Sequence, residues 1–144
     1  MNYRLAVLSD VPALSAIEKA QPRCAQWGEL GWQTELAEKS SCIWCAQTGK
    51  QIAGFAALRL AAGVGEILNV GVSPDFTRRG IGVELVKRVL NWAREHGGRQ
   101  ITLEVGVCNG PAVALYQKAG FTQVGVRKNF YANNEDALIM GCSL

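Results

Sequence analysis

Residues 70–83 read Val-Gly-Val-Ser-Pro-Asp-Phe-Thr-Arg-Arg-Gly-Ile-Gly-Val, and this stretch restricts the fold more than any other part of the chain. An apolar, β-type run from Glu66 to Val72 stops at Ser73-Pro74-Asp75, which is a turn signal. A basic loop spaced by glycines follows, and a helical pattern then runs from Val83 to Glu95. A strand that feeds a glycine-rich loop and then a helix is one way to bind phosphate. Gly80 and Gly82 carry no Cβ, so backbone N–H groups can close on an anion. The helix start adds unpaired donors and a partial positive charge. Arg78 and Arg79 supply mobile charge beside it. The plainer reading is a strand–turn–helix in which glycines ease the turn. Neither common nucleotide motif fits, because the third glycine of G-x-G-x-x-G and the Gly-Lys-[Ser/Thr] ending of the triphosphate loop are both missing.

The length of 144 residues suits a single domain over residues 1–144, and 49% hydrophobic with 19% charged residues describes a globular chain. No stretch approaches the roughly 18 apolar residues of a membrane span; Phe55 to Gly65 comes nearest and is cut by Arg59. The N-terminus has no apolar core long enough for a signal peptide. A cytoplasmic protein without a membrane partner is expected. Five cysteines make an odd count, unsuited to a closed disulfide framework. Cys42-Ile-Trp-Cys45 has metal-ligand spacing, but no second pair exists and His96 is the one histidine, whereas structural zinc needs about four ligands. These cysteines read as small apolar strand residues, and no metal is expected. The net charge of +3 is mild, and only Arg78, Arg79, Lys87 and Arg88 cluster. Without interleaved aromatics this suits a ligand with several phosphates at least as well as nucleic acid.

Along the chain, Tyr3 to Leu8 alternates as a short strand. Asp10-Val-Pro12 opens a helix with Leu14, Ile17 and Ala20 on one face. Gln21 to Gly31 is irregular, and a second helix is predicted over Trp32 to Glu38. Cys42 to Gln47 and Gln51 to Leu60 form a hairpin about Thr48-Gly49-Lys50. The strand ending at Val72 precedes a helix from Gly82 to His96, with Leu85, Val89, Trp92 and Ala93 on one stripe. Ile101 to Val107 is a strand with Ile101, Leu103 and Val105 toward the core, and Thr102 and Glu104 on the other side. Asn109 caps a short helix whose first turn contains Pro111, where a missing N–H does no harm. Gly120 stops that helix, Phe121 to Val126 is a strand, and a turn at Ala132-Asn133-Asn134 leads to a last strand over Asp136 to Cys142. The order β-α-α-β-β-β-α-β-α-β-β implies an α/β fold, a mixed sheet with helices on both faces.

Arg78-Arg-Gly-Ile-Gly82 placed directly after Val72-Ser-Pro-Asp-Phe76 resembles the coenzyme A pyrophosphate loop of the GNAT superfamily of N-acetyltransferases. The segment order matches that fold, a central mostly antiparallel sheet, over essentially the whole chain. Asn109-x-x-Ala-x-x-Leu-Tyr-x-x-x-Gly-Phe121 is the most specific signature. The resemblance implies acetyl-CoA as co-substrate, bound by the edge of Val70, Gly71 and Val72 as a peptide adds to a sheet. It implies a backbone cradle of Arg78, Arg79, Gly80, Ile81, Gly82 and Val83. Thr77 stands where the family has Gln or Arg, which removes a side-chain contact and leaves the cradle. A Val70 amide could hold the tetrahedral oxyanion. Glu104 matches the general base, acting directly or through water, and Tyr116 the general acid that protonates the leaving thiolate. Read alone, Glu104 is a solvated strand carboxylate and Tyr116 a half-buried tyrosine at the edge of the Ala112, Leu115 and Ala119 face. Asn109 matches a residue that hydrogen-bonds the cofactor. Cys108 has no evident activating histidine, since His96 lies at the far end of the preceding helix, so direct transfer in a ternary complex is the better reading.

Within the superfamily, the loop around Trp27, the strand carrying Glu104, and Val126-Arg-Lys-Asn-Phe-Tyr131 leading to Glu135-Asp-Ala-Leu-Ile-Met140 resemble the bacterial ribosomal-protein-alanine N-acetyltransferases (RimI type). That resemblance implies acetylation of the N-terminal alanine amine of a small-subunit ribosomal protein by a monomer, with Trp27 and Tyr131 on the peptide. Two regions depart from the pattern, a short segment between Tyr131 and Glu135 and the stretch Cys24 to Gly31. An α-amine titrates near about 7.7–8 and a lysine near about 10.4, so a strand carboxylate deprotonates the former more easily. Another amine (lysine, polyamine, aminoglycoside) or a non-catalytic coenzyme A-binding module remain the alternatives.

Overall fold

The computed structural model describes residues 1–131 and 133–144. The elements are β1 (Asn2–Leu5), α1 (Val11–Ala20), α2 (Gly28–Ala37), β2 (Ser41–Thr48), β3 (Gln51–Ala61), β4 (Val64–Val72), α3 (Ile81–Glu95), β5 (Gln100–Gly106), α4 (Gly110–Lys118), β6 (Thr122–Arg127) and β7 (Ala137–Ser143). This is the order read from the pattern. One residue of the expected final turn, Ala132, lies outside the described residues. All seven strands join one sheet in the order β1-β2-β3-β4-β5-β7-β6. Every pairing is antiparallel except β4 with β5.

Period-two alternation sends side chains to two cores. On one face, the α3 stripe of Leu85, Val86, Val89 and Ala93 packs on Ala56, Leu58, Ile101 and Leu103. On the other, Val11, Leu14, Ile17 and Trp32 of α1 and α2 pack on Ile43, Cys45, Phe55 and Ala57. Each large aliphatic residue so buried contributes about 1.5–3 kcal/mol relative to exposure. Cys42 and Cys45 are three apart on a strand and therefore belong to opposite cores. They cannot share a metal, and burial pushes their thiols up to about 12 and about 11. Among the described residues no helix is long and apolar enough to cross a membrane.

Several boundaries depart from the local pattern for tertiary reasons. The first strand ends at Leu5, not Leu8, because Arg4 grips both Asp10 carboxylate oxygens at 2.8 and 2.9 Å. The Val7 N–H donates to the same carboxylate at 2.8 Å, which turns Leu8–Asp10 into one 3₁₀ turn. Helix α2 starts at Gly28, four residues before the predicted Trp32, because a side chain from α1 supplies its cap. Glu18, 1% exposed, accepts the N–H groups of Trp27 (3.0 Å) and Gly28 (2.7 Å). Ala20, expected on the apolar face of α1, is exposed instead.

Candidate active site

Strands β4 and β5 pair only at Val64–Gln100, Gly65–Ile101 and Glu66–Thr102, and beyond that they part. The parting coincides with a bulge: Ala57 faces Asn69 while Leu58 faces Ile67, so Leu68 is an extra residue in β4. A bulge bends its strand and re-aims the residues after it. The Ser73 N–H donates to the Ala53 carbonyl at 2.8 Å, which makes that position a hydrogen-bonded pair. By alternation Phe55–Gly71 is another, and Ala56–Val70 and Gly54–Val72 are not. The N–H and C=O groups of Val70 and Val72 therefore point away from β3, into the gap beside β5. Gly71 turns its polar groups to β3; a Cβ there would meet the Phe55 ring at 2.7 Å and Cys24 Sγ at 3.0 Å.

At the C-terminal end of β4 the chain makes a 3₁₀ turn over Pro74–Phe76 and enters the basic loop. Arg78 (φ +64°) and Gly80 (φ +78°) are both left-handed. A Cβ on Gly80 would meet nothing within 4 Å, so its glycine serves the backbone angle. Gly82 serves another purpose, because a Cβ there would strike Leu115 of α4. The local pattern assigns both glycines to the anion; the structure gives the side of Gly82 to α3–α4 packing. No side chain caps α3, and its first backbone bond is Glu84 N–H to Gly80 C=O at 3.1 Å. The N–H groups of Ile81, Gly82 and Val83 thus stand at an uncapped helix start, with Arg78 and Arg79 exposed beside them. Thr77 Oγ is turned back onto the Pro74 carbonyl at 3.2 Å.

Glu104 and Tyr116 come from two sides of the gap. Thr102 and Glu104 are half-buried while Ile101, Leu103 and Val105 are buried, as alternation requires. The Glu104 carboxylate pairs with the Arg127 guanidinium at 3.2 Å. Helical spacing puts Tyr116 at the edge of the α4 face; it is instead the one buried residue of α4, 9% exposed, and Leu115 is only half-buried. Burial raises its phenol well above the usual range, with further contributions from the neighbouring Cys24 and Tyr131. The ring meets Phe121 edge-on, centroids 6.0 Å apart. Asn109 occupies the N-cap position of α4, but its side chain makes no capping bond, contrary to expectation, and stays free for another partner. Cys108 is exposed beyond the end of β5. His96 stacks on Trp92 at 3.9 Å before β5 begins, so a strand of seven residues, about 20 Å, lies between them.

Two loops roof the gap. In the α1–α2 loop, Gln21 Nε2 donates to the Val72 carbonyl at 2.7 Å and Cys24 Sγ to the Val70 carbonyl at 3.3 Å. Burial pushes the Cys24 thiol up to about 11. Asn69, 5% exposed, donates to the Ala25 carbonyl (3.1 Å) and accepts the Ala25 N–H (3.3 Å). Trp27 packs on Trp32, centroids 4.7 Å apart, within the second core. In the β6–β7 loop, the Glu135 carboxylate accepts the Cys108 N–H at 2.8 Å and lies 3.7 Å from Arg23. That N–H, more than Arg23, holds the carboxyl below its ordinary range. Tyr131 is half-buried, and burial followed by the nearby Glu104 and Glu135 raises its phenol. An open cavity of about 460 Å³ lies between these loops, lined by Arg23, Cys108, Glu135 and Asp136 among others. Glu18, Gln21 and Asn69 carry this arrangement and were not singled out from sequence. For Glu18 a signal existed, since it lies four residues after Leu14 on the buried face of α1.

The Acetyltransferase (GNAT) family model matches residues 11–121. The chain belongs to the GNAT acetyltransferase family. It is 30% identical over 135 residues to the ribosomal protein bS18-alanine N-acetyltransferase of Escherichia coli K12, covering 92% of this chain and 90% of that one. The enzyme of the same description from Salmonella typhimurium is 34% identical over 141 residues, with 94% of each covered. The crystal structure of the Escherichia coli ribosomal-protein-S18-alanine N-acetyltransferase superposes with a TM-score of 0.87 at 26% identity, over 99% of this chain and 92% of that one. A spermidine N-acetyltransferase from Vibrio cholerae reaches 0.85 at 17% identity, over 99% and 95%. The GNAT fold thus occurs in enzymes named for acceptors of different chemistry. GNAT acetyltransferases use acetyl-CoA.

Proposed function

We propose that this GNAT protein acetylates the N-terminal alanine α-amine of a small-subunit ribosomal protein by direct transfer from acetyl-CoA. The observation that carries the chemistry is the gap itself: main-chain groups of Val70 and Val72 face it, and Glu104 and Tyr116 flank it. The choice of acceptor is supported by relatives at 30% and 34% identity that span at least nine-tenths of both chains.

In this reading the uncapped start of α3, with Arg78 and Arg79, holds the pyrophosphate, and Val70 and Val72 take the amide-bearing arm. Asn109, with its side chain free, adds a bond to the same ligand. Glu104 takes a proton from the α-amine, directly or through a water, as the nitrogen attacks the acetyl carbon. The Val70 N–H holds the oxyanion that forms. As the carbon–sulfur bond breaks, the Tyr116 hydroxyl gives its proton to the departing thiolate. Burial strengthens the hold of the phenol on its proton, and it raises the basicity of a thiolate generated in the same dry site, so the two stay matched. Tyr131 and the Trp27-anchored loop guide the peptide. The raised thiol of Cys24 and the isolation of Cys108 from His96 both disfavour an acyl-enzyme.

The test is thiol release from acetyl-CoA with a short alanine-starting peptide against the same peptide blocked at its N-terminus. Turnover with the free amine alone is the expected result. Equal turnover with a blocked, lysine-containing peptide would refute the α-amine assignment, and coenzyme A binding without turnover on any amine would leave a binding module.

A further inference from the structure

Arg127 is placed by the sheet rather than by its sequence neighbours. It ends β6 opposite Ala137 of β7, and Ala137 lies opposite Gly106 of β5. Both residues in that row are small, which lets a long side chain cross β7 diagonally to Glu104 two residues back. The guanidinium lies 3.2 Å from the Glu104 carboxylate and 4.9 Å from the centre of the Phe130 ring. Glu104 keeps 21% of its side chain exposed and Arg127 keeps 54%. An isolated surface pair of this kind adds about 0–1 kcal/mol to stability, so its consequence lies in what else binds there.

We infer that Arg127 is a positioning residue for acceptor deprotonation: its charge, held beside Glu104 by the ion pair and by Phe130, drives the proton off the amine that docks at that carboxylate. This rests on the reading of Glu104 as the base. An amine in hydrogen-bond reach of Glu104 lies about 6 Å from the guanidinium, and a like charge at that range disfavours the ammonium form. The docked amine therefore gives up its proton at lower pH with Arg127 in place than without it. The charged and titratable groups facing this point are Glu104 of β5, Arg127 of β6, Tyr131 and Glu135 of the β6–β7 loop, and Arg23 of the α1–α2 loop. Glu135 and Arg23 face each other, which among the described residues leaves Arg127 as the cation paired with Glu104.

The experiment is the pH dependence of kcat with an alanine-starting peptide and saturating acetyl-CoA, for the wild type, Arg127→Met, Arg127→Lys and Glu104→Gln. The kcat profile reports ionisations within the bound complex. Met keeps the apolar stem on Phe130 and loses the charge, and Lys keeps the charge. With so exposed a guanidinium the effective dielectric is near that of water, which sets the expected shift at about half to one pH unit. The acidic limb should move up by that amount in Arg127→Met, stay near the wild-type position in Arg127→Lys, and the difference should shrink in about 1 M salt. Superimposed limbs for wild type and Arg127→Met, with Glu104→Gln inactive, would overturn this inference alone. Wild-type turnover in Glu104→Gln would instead overturn the base reading on which it rests.

Discussion

Replacing Glu18 by alanine tests whether a buried cap from α1 holds the roof of the site. The Glu18 carboxylate is 1% exposed and accepts two backbone N–H groups, from Trp27 at 3.0 Å and Gly28 at 2.7 Å. A hydrogen bond to a charged group contributes about 1.5–3 kcal/mol, so the pair is worth about 3–6 kcal/mol before offsets. Trp27 and Gly28 are only half-buried, so water recovers part of the loss at their freed N–H groups. Removing a buried carboxylate also removes its desolvation cost. The net loss should be about 3 kcal/mol, equivalent to about 10 °C in Tm for a chain of this size. Glu18→Gln keeps the volume and one carbonyl acceptor and should lose about half as much. Urea and thermal unfolding read both variants. Because Glu18 anchors the loop bearing Arg23 and Cys24, peptide KM should rise severalfold in the folded alanine variant. A Glu18→Ala protein within about 0.5 kcal/mol of wild type would refute the cap, as would equal losses in the alanine and glutamine variants.

Tyr116→Phe should lower kcat by about 10²-fold or more with acetyl-CoA binding by calorimetry unchanged, since only the hydroxyl is removed from a buried ring. Gly80→Ala places a side chain at φ +78° in open space, so a strain of about 1–2 kcal/mol should appear as roughly tenfold weaker acetyl-CoA binding rather than as a packing defect. Asp10 titrates below its ordinary value of 3.8, first because of its hydrogen bonds from Arg4. Its contribution is thus fully present above that value and lost as pH falls through the lower folded value, so the stability gap between wild type and Asp10→Asn, followed by denaturant melts, should close below about pH 4.

Much of this molecule is visible in short-range pattern. Alternation over 101–105 correctly separates Glu104 from Ile101, Leu103 and Val105, because a strand has period two wherever it lies. The same holds for the α3 stripe, where Leu85, Val89 and Ala93 repeat at helical spacing. Pattern fails where a distant residue intervenes. Helix α2 looks as if it begins at Trp32, since the cap that starts it at Gly28 lies on α1. Nothing local reveals that Leu115 packs against Gly82 and gives its missing Cβ a second purpose. Tyr116 looks like an edge residue until Phe121 and the sheet close around it.

Local residue chemistry was enough to set the order of strands and helices and the glycine-rich loop at the start of α3, while the candidacy of Glu104 and Tyr116 came from the family resemblance. The order and the loop depend on backbone angles and on periodicities a few residues long. Which edge of β4 stays open, and what faces it, was decided only when the chain closed. The bulge at Leu68 and the three-residue β4–β5 pairing aim Val70 and Val72 into the gap. The α1–α2 loop then reaches those carbonyls from about 50 positions away, and Arg127 reaches Glu104 across an intervening strand. Such contacts join segments remote in the chain, and their free energy exists only once the sheet order has brought those segments together.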